Sequence, residues 1–215
     1  MSDYRSEIVD YICERFAQED ELLKDVLEQQ RKGGGPMMNV GPDQGKFLSL
    51  LVKLHKPKNI LEVGSYFGYS SVWLARAVKE IGTHLYCAEI SEPQCKIIEA
   101  NLKKDALSDC TTVLQGSGVD IMNKFINEGK SFEMIFVDAD KTNYSNYLDL
   151  ATRLLPSGGL LLVDNCIWDN KVLDKVNPDS STKAIQAFND KLAVHPDFDS
   201  LIVTIQDGLA FAVKK

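Results

Sequence analysis

Residues 59–78 constrain the fold of this chain more than any other stretch, since they combine an apolar run, two glycines and a helical pattern. Residues 60–63 are a short, mostly apolar run of the kind that a buried parallel strand shows. Gly64 ends this run, and Gly68 breaks the chain again before the helical pattern begins. In an open α/β sheet, ligands bind at the carboxyl end of such a strand, because the next helix points its N-terminal amides into the crevice there. We therefore expect a ligand against residues 64–70.

The glycine spacing and an acid further along the chain indicate the kind of ligand. The glycines follow the pattern G-x-x-x-G, and the run G-x-G-x-x-G that lets the backbone approach a pyrophosphate is absent. Residues 83–89 have the pattern of the next strand and end on Glu89, where an acid can bind the hydroxyls of a ribose. A nucleoside without phosphates satisfies both observations, and a dinucleotide is disfavoured.

Strand-like and helix-like segments alternate along most of the chain, which predicts a doubly wound, mostly parallel α/β sheet with right-handed crossovers. We expect strands at residues 60–63, 85–90, 111–115, 134–137 and 160–163, and helices at residues 47–53, 70–81, 92–106, 121–128 and 144–155. Two more strand-like runs, residues 201–206 and 209–213, flank Asp207 and Gly208, a dipeptide typical of two-residue hairpins. The predicted sheet therefore has seven strands and ends with an antiparallel C-terminal strand.

The length of the chain predicts one domain with a helical N-terminal cap. At 215 residues, 44% of them hydrophobic, the chain is long enough for one well-buried domain, residues 1–215, and too short for two. Residues 1–35 form the predicted cap, in which apolar residues repeat at helical spacing on both sides of an acidic break at Glu19 and Asp20. These one or two helices either pack as a simple cap or cover the active site or a dimer interface. The glycines and proline of residues 33–36 predict a flexible joint, as in a lid or hinge.

Charge and cysteine content disfavour several classes of protein. A net charge of −7 and an isoelectric point near 5.0 give no overall attraction to nucleic acids or anionic membranes. Charges interrupt the N-terminal residues too often for a signal peptide or a membrane span, so we expect a cytoplasmic protein without a membrane partner. The five cysteines include no C-x-x-C pair and the three histidines are far apart in sequence, which disfavours a zinc site and a disulfide framework.

Two of the predicted strands end in acidic residues. Asp138 follows the fourth predicted strand, and Asp164 and Asn165 follow the fifth. In a parallel sheet these side chains converge at the edge where the nucleoside is expected. Converging carboxylates repel each other unless a cation joins them, and oxygen donors without a nearby His or Cys favour a hard ion. We therefore expect Mg²⁺, for which Ca²⁺ or Mn²⁺ can substitute, although acids also end strands simply because loops are solvated.

Four segments of the sequence resemble one enzyme family. The first, LEVGSYFGYSSVWLA, resembles the first motif of class I S-adenosylmethionine (SAM) dependent methyltransferases, and more narrowly that of the cation-dependent O-methyltransferases typified by caffeoyl-CoA and catechol O-methyltransferases. The similarity extends across residues 36–215 through the segments MNVGPDQGKFL, FVDADKTNYSNYLDL and LLPSGGLLLVDNCIW. Four motifs in order at compatible spacings make the resemblance specific. It implies the Rossmann-like fold of SAM methyltransferases, with SAM as the cofactor.

The resemblance also implies roles for individual residues. Asp138, Asp164 and Asn165 match the metal ligands of the family, and Lys141 is either the catalytic base or a loop charge. Trp168 either stacks on an aromatic acceptor or holds its own loop in place. The residues expected to contact the substrate are Met38, Lys141, Asn165 and Trp168. The residues expected to contact the cofactor are Met38, Val40, Glu62, Gly64, Tyr66, Ser70, Glu89, Ile90, Gly118, Asp138 and Asp140.

The reaction that the resemblance implies is methyl transfer from SAM to a hydroxyl of a catechol-type or caffeoyl-type aromatic diol. Mg²⁺ would orient and acidify that hydroxyl, and Lys141 would accept its proton. Two alternatives stay open. A same-family enzyme could methylate a hydroxyuridine in transfer RNA, for which a local basic patch could come from Lys103 and Lys104, or from Lys53, His55, Lys56 and Lys58. A non-catalytic nucleotide-binding protein or an NAD-dependent Rossmann protein is disfavoured by the glycine spacing and the C-terminal hairpin. The family also predicts a homodimer.

Overall fold

Strands and helices alternate along the chain, as the sequence predicted. The computed structural model describes residues 2–34 and 36–215, with side chains from residue 7 onward. Gly35, which belongs to the predicted cap and joint, lies outside the described residues. The strands are β1 (Asn59–Val63), β2 (His84–Glu89), β3 (Thr111–Gln115), β4 (Met134–Val137), β5 (Leu160–Val163), β6 (Phe198–Val203) and β7 (Leu209–Lys214). The helices are α1 (Ser2–Phe16), α2 (Glu21–Lys32), α3 (Pro42–His55), α4 (Tyr69–Ile81), α5 (Glu92–Lys104), α6 (Gly118–Asn127), α7 (Tyr144–Leu154) and α8 (Ser180–Ala193).

One seven-stranded sheet contains all of these strands, in the order β3-β2-β1-β4-β5-β7-β6. The first five strands of the chain are parallel to one another, and β7 is antiparallel to both of its neighbours. The predicted fold class, a doubly wound and mostly parallel sheet with an antiparallel C-terminal strand, is confirmed. The strand order reverses at β1, between β2 and β4, and such a reversal opens a crevice at the carboxyl ends of the strands.

The strand ends on both sides of this crevice are level. Val63, the last residue of β1, pairs with Ala88 of β2 and with Val137 of β4. Val137 in turn pairs with Val163, the last residue of β5. The parallel register therefore brings the loops that follow β1, β2, β4 and β5 to one edge of the sheet.

Helices cover both faces of the sheet, because successive strand residues point to opposite faces. Ile60 packs in a cluster with Leu48 of α3 and residues of α4, whereas Leu61 packs with Met122 of α6 and Leu148 of α7. All of these side chains are fully buried. Burial on both faces explains why the parallel strands have nearly continuous apolar sequences.

The N-terminal segment forms two helices that meet at the predicted acidic break. Asp20 caps α2 by accepting a hydrogen bond from the backbone N–H of Leu23 at 3.1 Å, and it pairs with Arg76 of α4 at 2.5 Å. Arg76 also pairs with Asp105, which follows α5, at 2.6 Å. These ion pairs attach α2 to the helices that follow β1 and β2, next to the crevice.

The C-terminal hairpin has a longer connection than the sequence predicted. β6 ends at Val203, which pairs with Leu209, so five residues connect the two strands rather than two. Asp207 and Gly208 do not close the hairpin alone, because their carbonyl groups accept hydrogen bonds from the backbone of residues 166–167 at 2.9 and 2.8 Å. The loop after β5 therefore determines the shape of this connection.

Helix α8 was not predicted from the sequence. Asp179 caps it by accepting a hydrogen bond from the backbone N–H of Thr182 at 2.7 Å. Ile185, Phe188 and Leu192 form its buried stripe and pack on the sheet face that α7 also covers. The polar residues that precede α8 are typical of a loop, so the start of the helix was not recognised from the sequence.

From the sequence we expected neither a disulfide framework nor a membrane span. All five cysteines are free thiols, as expected. Burial raises the pKa of the Cys166 thiol to about 12, which is typical of a packing residue rather than a nucleophile. Among the residues that the structure describes, no helix is both long enough and apolar enough to cross a membrane.

Gly64→Ala should strongly destabilise the fold. Gly64 has a φ of +91°, and a Cβ atom there would collide with the carbonyl oxygen of Asp138. The backbone can move away only by breaking the pairing of β1 with β4, so we expect a loss of more than about 3 kcal/mol. Urea unfolding measures this loss.

Gly82→Ala is the matched control for this substitution. Gly82 has a φ of +71° at the end of α4, but a Cβ atom there would meet nothing within 4 Å. Only the cost of the left-handed conformation remains, about 1–2 kcal/mol. Equal losses of unfolding free energy in the two variants would show that the close contact between Gly64 and the carbonyl of Asp138 does not matter for stability.

Candidate active site

A cavity of about 550 Å³ opens at the level ends of β1, β2 and β4. Most of the predicted site residues line it, namely Met38, Val40, Gly64, Tyr66, Ser70, Glu89, Ile90, Gly118, Asp138, Asp140, Lys141, Asn165 and Trp168. Glu62 and Asp164 are buried and do not belong to its lining. The structure therefore brings the predicted cofactor, substrate and base residues to one space, with two of the predicted residues behind its wall.

Glu62 supports the wall from behind. Its carboxylate is fully buried and accepts hydrogen bonds from the hydroxyls of Ser65 at 2.7 Å, Ser70 at 2.6 Å and Ser71. Burial raises the pKa of Glu62, and the serine hydroxyls oppose this effect because they stabilise the charged form. These bonds join the glycine turn to the first turn of α4. The predicted contact of Glu62 with the cofactor stays a prediction; in this structure its carboxylate holds Ser70, which lines the cavity.

Glu89 and Tyr66 form the wall that follows β2. Glu89 is 6% exposed and accepts hydrogen bonds from the backbone N–H groups of Tyr66 at 2.8 Å and Ser91 at 2.9 Å. A carboxylate offers about four acceptor positions, so Glu89 can accept further hydrogen bonds from a ligand. The hydroxyl of Tyr66 donates to the carbonyl oxygen of Pro36 at 3.3 Å. Tyr66 therefore connects Glu89 with the loop before α3.

Residues that follow β3 and β4 form another part of the cavity wall, which has room only for a glycine at position 118. A Cβ atom at Gly118 would collide with Val63 and would lie 3.0 Å from the ring of Tyr147. Tyr147 donates a hydrogen bond to Asp140 at 2.6 Å, which holds this carboxylate at the cavity. Burial and the bond to Asp140 raise the pKa of Tyr147, so its phenol remains a hydrogen-bond donor.

Lys141 lies at the centre of a polar cluster formed by the residues that follow β4 and β5. Its Nζ donates hydrogen bonds to Asp138 Oδ1 at 3.0 Å, to Asn165 Oδ1 at 2.6 Å and to the hydroxyl of Tyr144 at 2.7 Å. Tyr144 in turn donates to the carbonyl oxygen of Asp164 at 2.8 Å. The side chain of Lys141 is 12% exposed. One nearly buried ammonium group thus joins the two loops.

Gln44 of α3 holds Asp164 from behind this cluster. The side-chain amide of Gln44 donates a hydrogen bond from Nε2 to Asp164 Oδ1 at 2.8 Å, and both residues are buried. Burial and the negative charge of Asp138 raise the pKa of Asp164 to about 7. Gln44 Oε1 is buried without a hydrogen-bond partner among the described residues. Gln44 lies within the segment MNVGPDQGKFL, but no role was predicted for it from the sequence.

The predicted metal ligands are close enough to share one positive charge. Asp138 and Asn165 both bind the ammonium group of Lys141, and the charge of Asp138 affects the pKa of Asp164. Within residues 2–34 and 36–215, no three His, Cys, Asp or Glu side chains are grouped so that they could hold a metal ion. The predicted set has two carboxylates and the amide oxygen of Asn165, and this all-oxygen set fits a hard divalent cation in its chemistry.

Trp168 and Met38 add apolar surface to the cavity lining. Met38 is 58% exposed, and Trp168 has a φ of +52°, as part of a run of left-handed residues that shapes the loop after β5. The Nζ atoms of Lys141 and Lys171 each lie 5.7 Å from the indole ring. Stacking on an acceptor and holding the loop in place are both compatible with this position of Trp168.

Comparison with known proteins identifies the family. The family model described as O-methyltransferase matches residues 13–215 of the chain. The catechol O-methyltransferase of Niastella koreensis is 35% identical over 211 residues, which cover 95% of this chain and 95% of that protein. The caffeoyl-CoA O-methyltransferase of Medicago sativa is 31% identical over 212 residues, which cover 93% of this chain and 85% of that protein.

A solved structure has the same fold along almost the whole chain. The O-methyltransferase from Bacillus cereus, solved in complex with SAH, matches with a TM-score of 0.90 at 31% identity, and the match covers 97% of each chain. The resemblance found in the sequence is confirmed, and the alternative of an NAD-dependent or non-catalytic Rossmann protein is excluded. Fold, cavity and relatives agree that the chain belongs to the SAM-dependent O-methyltransferases of the caffeoyl-CoA and catechol type.

Proposed function

We propose that this enzyme methylates one hydroxyl of a catechol-type or caffeoyl-type aromatic diol and that it requires a divalent cation, with Mg²⁺ preferred. The observation that carries the proposal is the cluster around Lys141, in which Asp138 and Asn165 line the same cavity as Glu89. In this proposal a nucleoside site and an oxygen-rich cation site would share one space. The names of the catechol and caffeoyl-CoA O-methyltransferases among its relatives support an aromatic diol as the acceptor.

In this proposal the cofactor lies along the wall that Tyr66 forms. Glu89 accepts hydrogen bonds from the ribose hydroxyls, because its carboxylate has acceptor positions beyond its two backbone bonds. Ile90, which is 69% exposed at the cavity, covers the base. Met38 and Val40, from the loop before α3, lie over the methionine end. The reacting methyl group then points toward the cluster around Lys141.

Asp138, Asp164 and Asn165 are the residues that would hold the cation. When bound, the cation supplies Lewis-acid acidification and orientation of the two vicinal hydroxyls of the acceptor. Gln44 holds the carboxylate of Asp164 and Tyr144 holds its backbone carbonyl, so both ends of this residue are restrained. Such restraint fixes the reactive geometry before the acceptor arrives.

We assign to Lys141 the role of accepting the proton of the reacting hydroxyl at Nζ, after its ammonium group has released one proton to solvent, because only the neutral amine has a free lone pair. Methyl transfer breaks a sulfur–carbon bond of SAM and forms an oxygen–carbon bond, so the hydroxyl proton must leave the acceptor. The Nζ atom lies within hydrogen-bond distance of Asp138 and Asn165, the two proposed ligands that line the cavity. A general base needs this reach toward the proton that it removes.

A homodimer remains part of the proposal. Ile8, Phe16 and Leu50, from α1 and α3, are 42%, 64% and 51% exposed and line a second groove on the surface. Clustered exposed apolar side chains are typical of surfaces that associate.

Glu89→Ala should weaken SAM binding by about 10-fold to 100-fold, since hydrogen bonds to a charged group contribute about 1.5–3 kcal/mol. Calorimetric titration with SAM measures the change. Glu92→Ala is the matched control, because Glu92 lies three residues further on the exposed surface of α5 and pairs with Lys96 at 2.6 Å. Unchanged SAM affinity in a Glu89→Ala protein with a normal melting temperature would remove Glu89 from the cofactor site.

Removal of divalent cations with EDTA should abolish methylation of catechol and caffeoyl-CoA, and addition of Mg²⁺ should restore it. Transfer of a labelled methyl group from SAM measures turnover, with a monophenol as the control acceptor that cannot chelate a cation through two oxygens. SAM binding should persist in EDTA. Full turnover in EDTA would contradict the cation requirement, and methylation of bulk RNA in place of either diol would favour the transfer RNA alternative.

Lys141→Met should lower the rate of methyl transfer about 10²-fold to 10⁴-fold at neutral pH, the range that general-base catalysis supplies. Methionine keeps the aliphatic part of the side chain, so packing changes little. The loss should shrink as pH rises, because hydroxide can then remove the proton. Lys171→Met is the control, since Lys171 lies equally close to the ring of Trp168. A near-normal rate with an unchanged pH profile would show that Lys141 is a loop charge.

A further inference from the structure

Asp207, in the connection between β6 and β7, binds the backbone on both sides of Trp168. Its carbonyl oxygen accepts a hydrogen bond from the N–H of Ile167 at 2.9 Å. Its side-chain Oδ1 accepts another from the N–H of Asp169 at 2.6 Å. One residue from a distant part of the sequence therefore holds the loop after β5 just before and just after the tryptophan.

The loop that Asp207 holds has an unfavourable backbone conformation. Trp168, Asp169 and Asn170 are successive residues with positive φ angles, of +52°, +50° and +63°. Residues other than glycine rarely adopt this left-handed conformation, because their Cβ atom comes too close to the following carbonyl oxygen. Such a run persists only where the surrounding structure holds it, and strain of this kind clusters at functional sites. The hydrogen bonds to Asp207 supply part of that support.

The connection between β6 and β7 is itself well fixed. A Cβ atom at Gly208 would collide with the side chain of Ile167, so the connection and the loop after β5 are in close contact. Gln206 donates a hydrogen bond from Nε2 to Asp43, at the start of α3. Contacts with two other parts of the fold thus define the position from which Asp207 holds the loop.

The residues of this loop face two different spaces. Asn165 and Trp168 line the cavity, whereas Ile167 and Asp169 line the second surface groove together with Asp207. The hydrogen bonds to Asp207 are therefore made away from the cavity, and they leave the indole ring of Trp168 in its wall. Because Asp207 does not line the cavity, it can affect a ligand there by fixing Trp168.

We propose that Asp207 is a positioning residue for the methyl acceptor, because it fixes the indole ring of Trp168 at the acceptor end of the cavity. This inference rests on the proposed function, in which the acceptor lies next to Lys141, whose Nζ atom is 5.7 Å from the indole ring. An aromatic contact depends on the relative orientation of the two rings, so a fixed indole favours acceptor binding.

The cofactor should be insensitive to this positioning. Glu89, the proposed ribose contact, follows β2, which β1 and β4 separate from β5 in the sheet. The loop that Asp207 holds follows β5. Loss of the hydrogen bond from Asp169 should therefore impair the acceptor site and leave SAM binding unchanged.

Asp207→Ala tests this assignment, with Asp207→Asn as the conservative variant and Asp174→Ala as the matched control. Asparagine removes the charge but keeps a side-chain oxygen that can accept the hydrogen bond from Asp169. Asp174 lies further along the same loop, where its Oδ1 accepts two backbone hydrogen bonds, of 2.8 and 3.2 Å. The control therefore makes the same substitution and removes backbone hydrogen bonds from the same loop, away from Trp168.

The first readout compares the KM for catechol, in a methyl-transfer assay with Mg²⁺, with the SAM affinity from calorimetric titration. Asp207→Ala should raise the KM for catechol about tenfold and leave SAM affinity within about twofold, since the lost hydrogen bond involves a charged group. Asp207→Asn and Asp174→Ala should keep the KM within about threefold of normal. Equal losses for catechol and SAM in Asp207→Ala, or an equal rise in KM in either of the other variants, would overturn the assignment.

Quenching of tryptophan fluorescence by acrylamide tests the position of Trp168 without any acceptor. The chain has two tryptophans, and Trp73 is 8% exposed, so the quencher reaches Trp168 in the cavity wall more readily. Asp207→Ala should raise the quenching constant, whereas Asp207→Asn and Asp174→Ala should not. An unchanged quenching constant in a folded Asp207→Ala protein would overturn the assignment, whatever the kinetics show.

Failure of the proposed function gives a different result from failure of this assignment. The wild-type protein would then transfer no methyl group to catechol or caffeoyl-CoA, while the quenching experiment would still measure the effect of Asp207 on Trp168.

Asp207→Glu keeps the test decisive if the alanine variant does not fold. The longer side chain keeps the charge but displaces the carboxylate from the N–H of Asp169, so the KM for catechol and the quenching constant should both rise. A folded Asp207→Glu protein with normal values of both would overturn the assignment.

Discussion

The level ends of the parallel strands are the constraint on which the rest of this structure depends. Val63, Val137 and Val163 pair across three adjacent strands, so the loops that follow them begin at the same height. These loops approach so closely that Gly64 has no room for a side chain against the carbonyl of Asp138. A shift of one residue in this register would turn every buried strand side chain to the opposite face. The packing of the core therefore determines the geometry of the cavity.

This geometry also concentrates negative charge where little water can reach it. Asp164 is buried, and the neighbouring charge of Asp138 adds to burial in raising its pKa. Lys141 offsets this charge through hydrogen bonds to Asp138 and Asn165. In the proposed mechanism these two residues would bind a divalent ion instead, and the Lys141 ammonium would release a proton to solvent, so that its neutral Nζ could accept the proton of the acceptor. In this proposal the cation and the Lys141 ammonium would compete for the same oxygen atoms of Asp138 and Asn165, which would link cation binding to the protonation of Lys141.

The sequence predicted the features that follow from local pattern. The parallel strands were found because burial on both faces gives them apolar runs, and Gly64 and Glu89 were found because they directly follow strands. The prediction of a two-residue hairpin was wrong because the backbone carbonyls of Asp207 and Gly208 accept hydrogen bonds from residues 166–167, about forty positions earlier in the chain. Helix α8 was missed because polar residues precede its cap. Both differences arise from long-range contacts or helix boundaries that the hydrophobic periodicity of a short stretch of sequence does not reveal.

The buried glutamines of α2 and α3 could have been recognised from the sequence, because each lies within the apolar stripe of its helix. In α2 the buried residues are Leu23, Val26 and Gln30, and in α3 Gln44 precedes Leu48 by one turn on the buried face. A glutamine within the apolar stripe of an amphipathic helix lowers the stability of the fold unless it finds partners. Burial removes both the NH₂ group and the oxygen of its amide from water. Such a residue persists where the fold supplies a polar partner, as Asp164 does for Gln44. The same argument applied to Gln30 finds a partner for its NH₂ group in the carbonyl oxygen of Pro36, but none for its oxygen among the described residues.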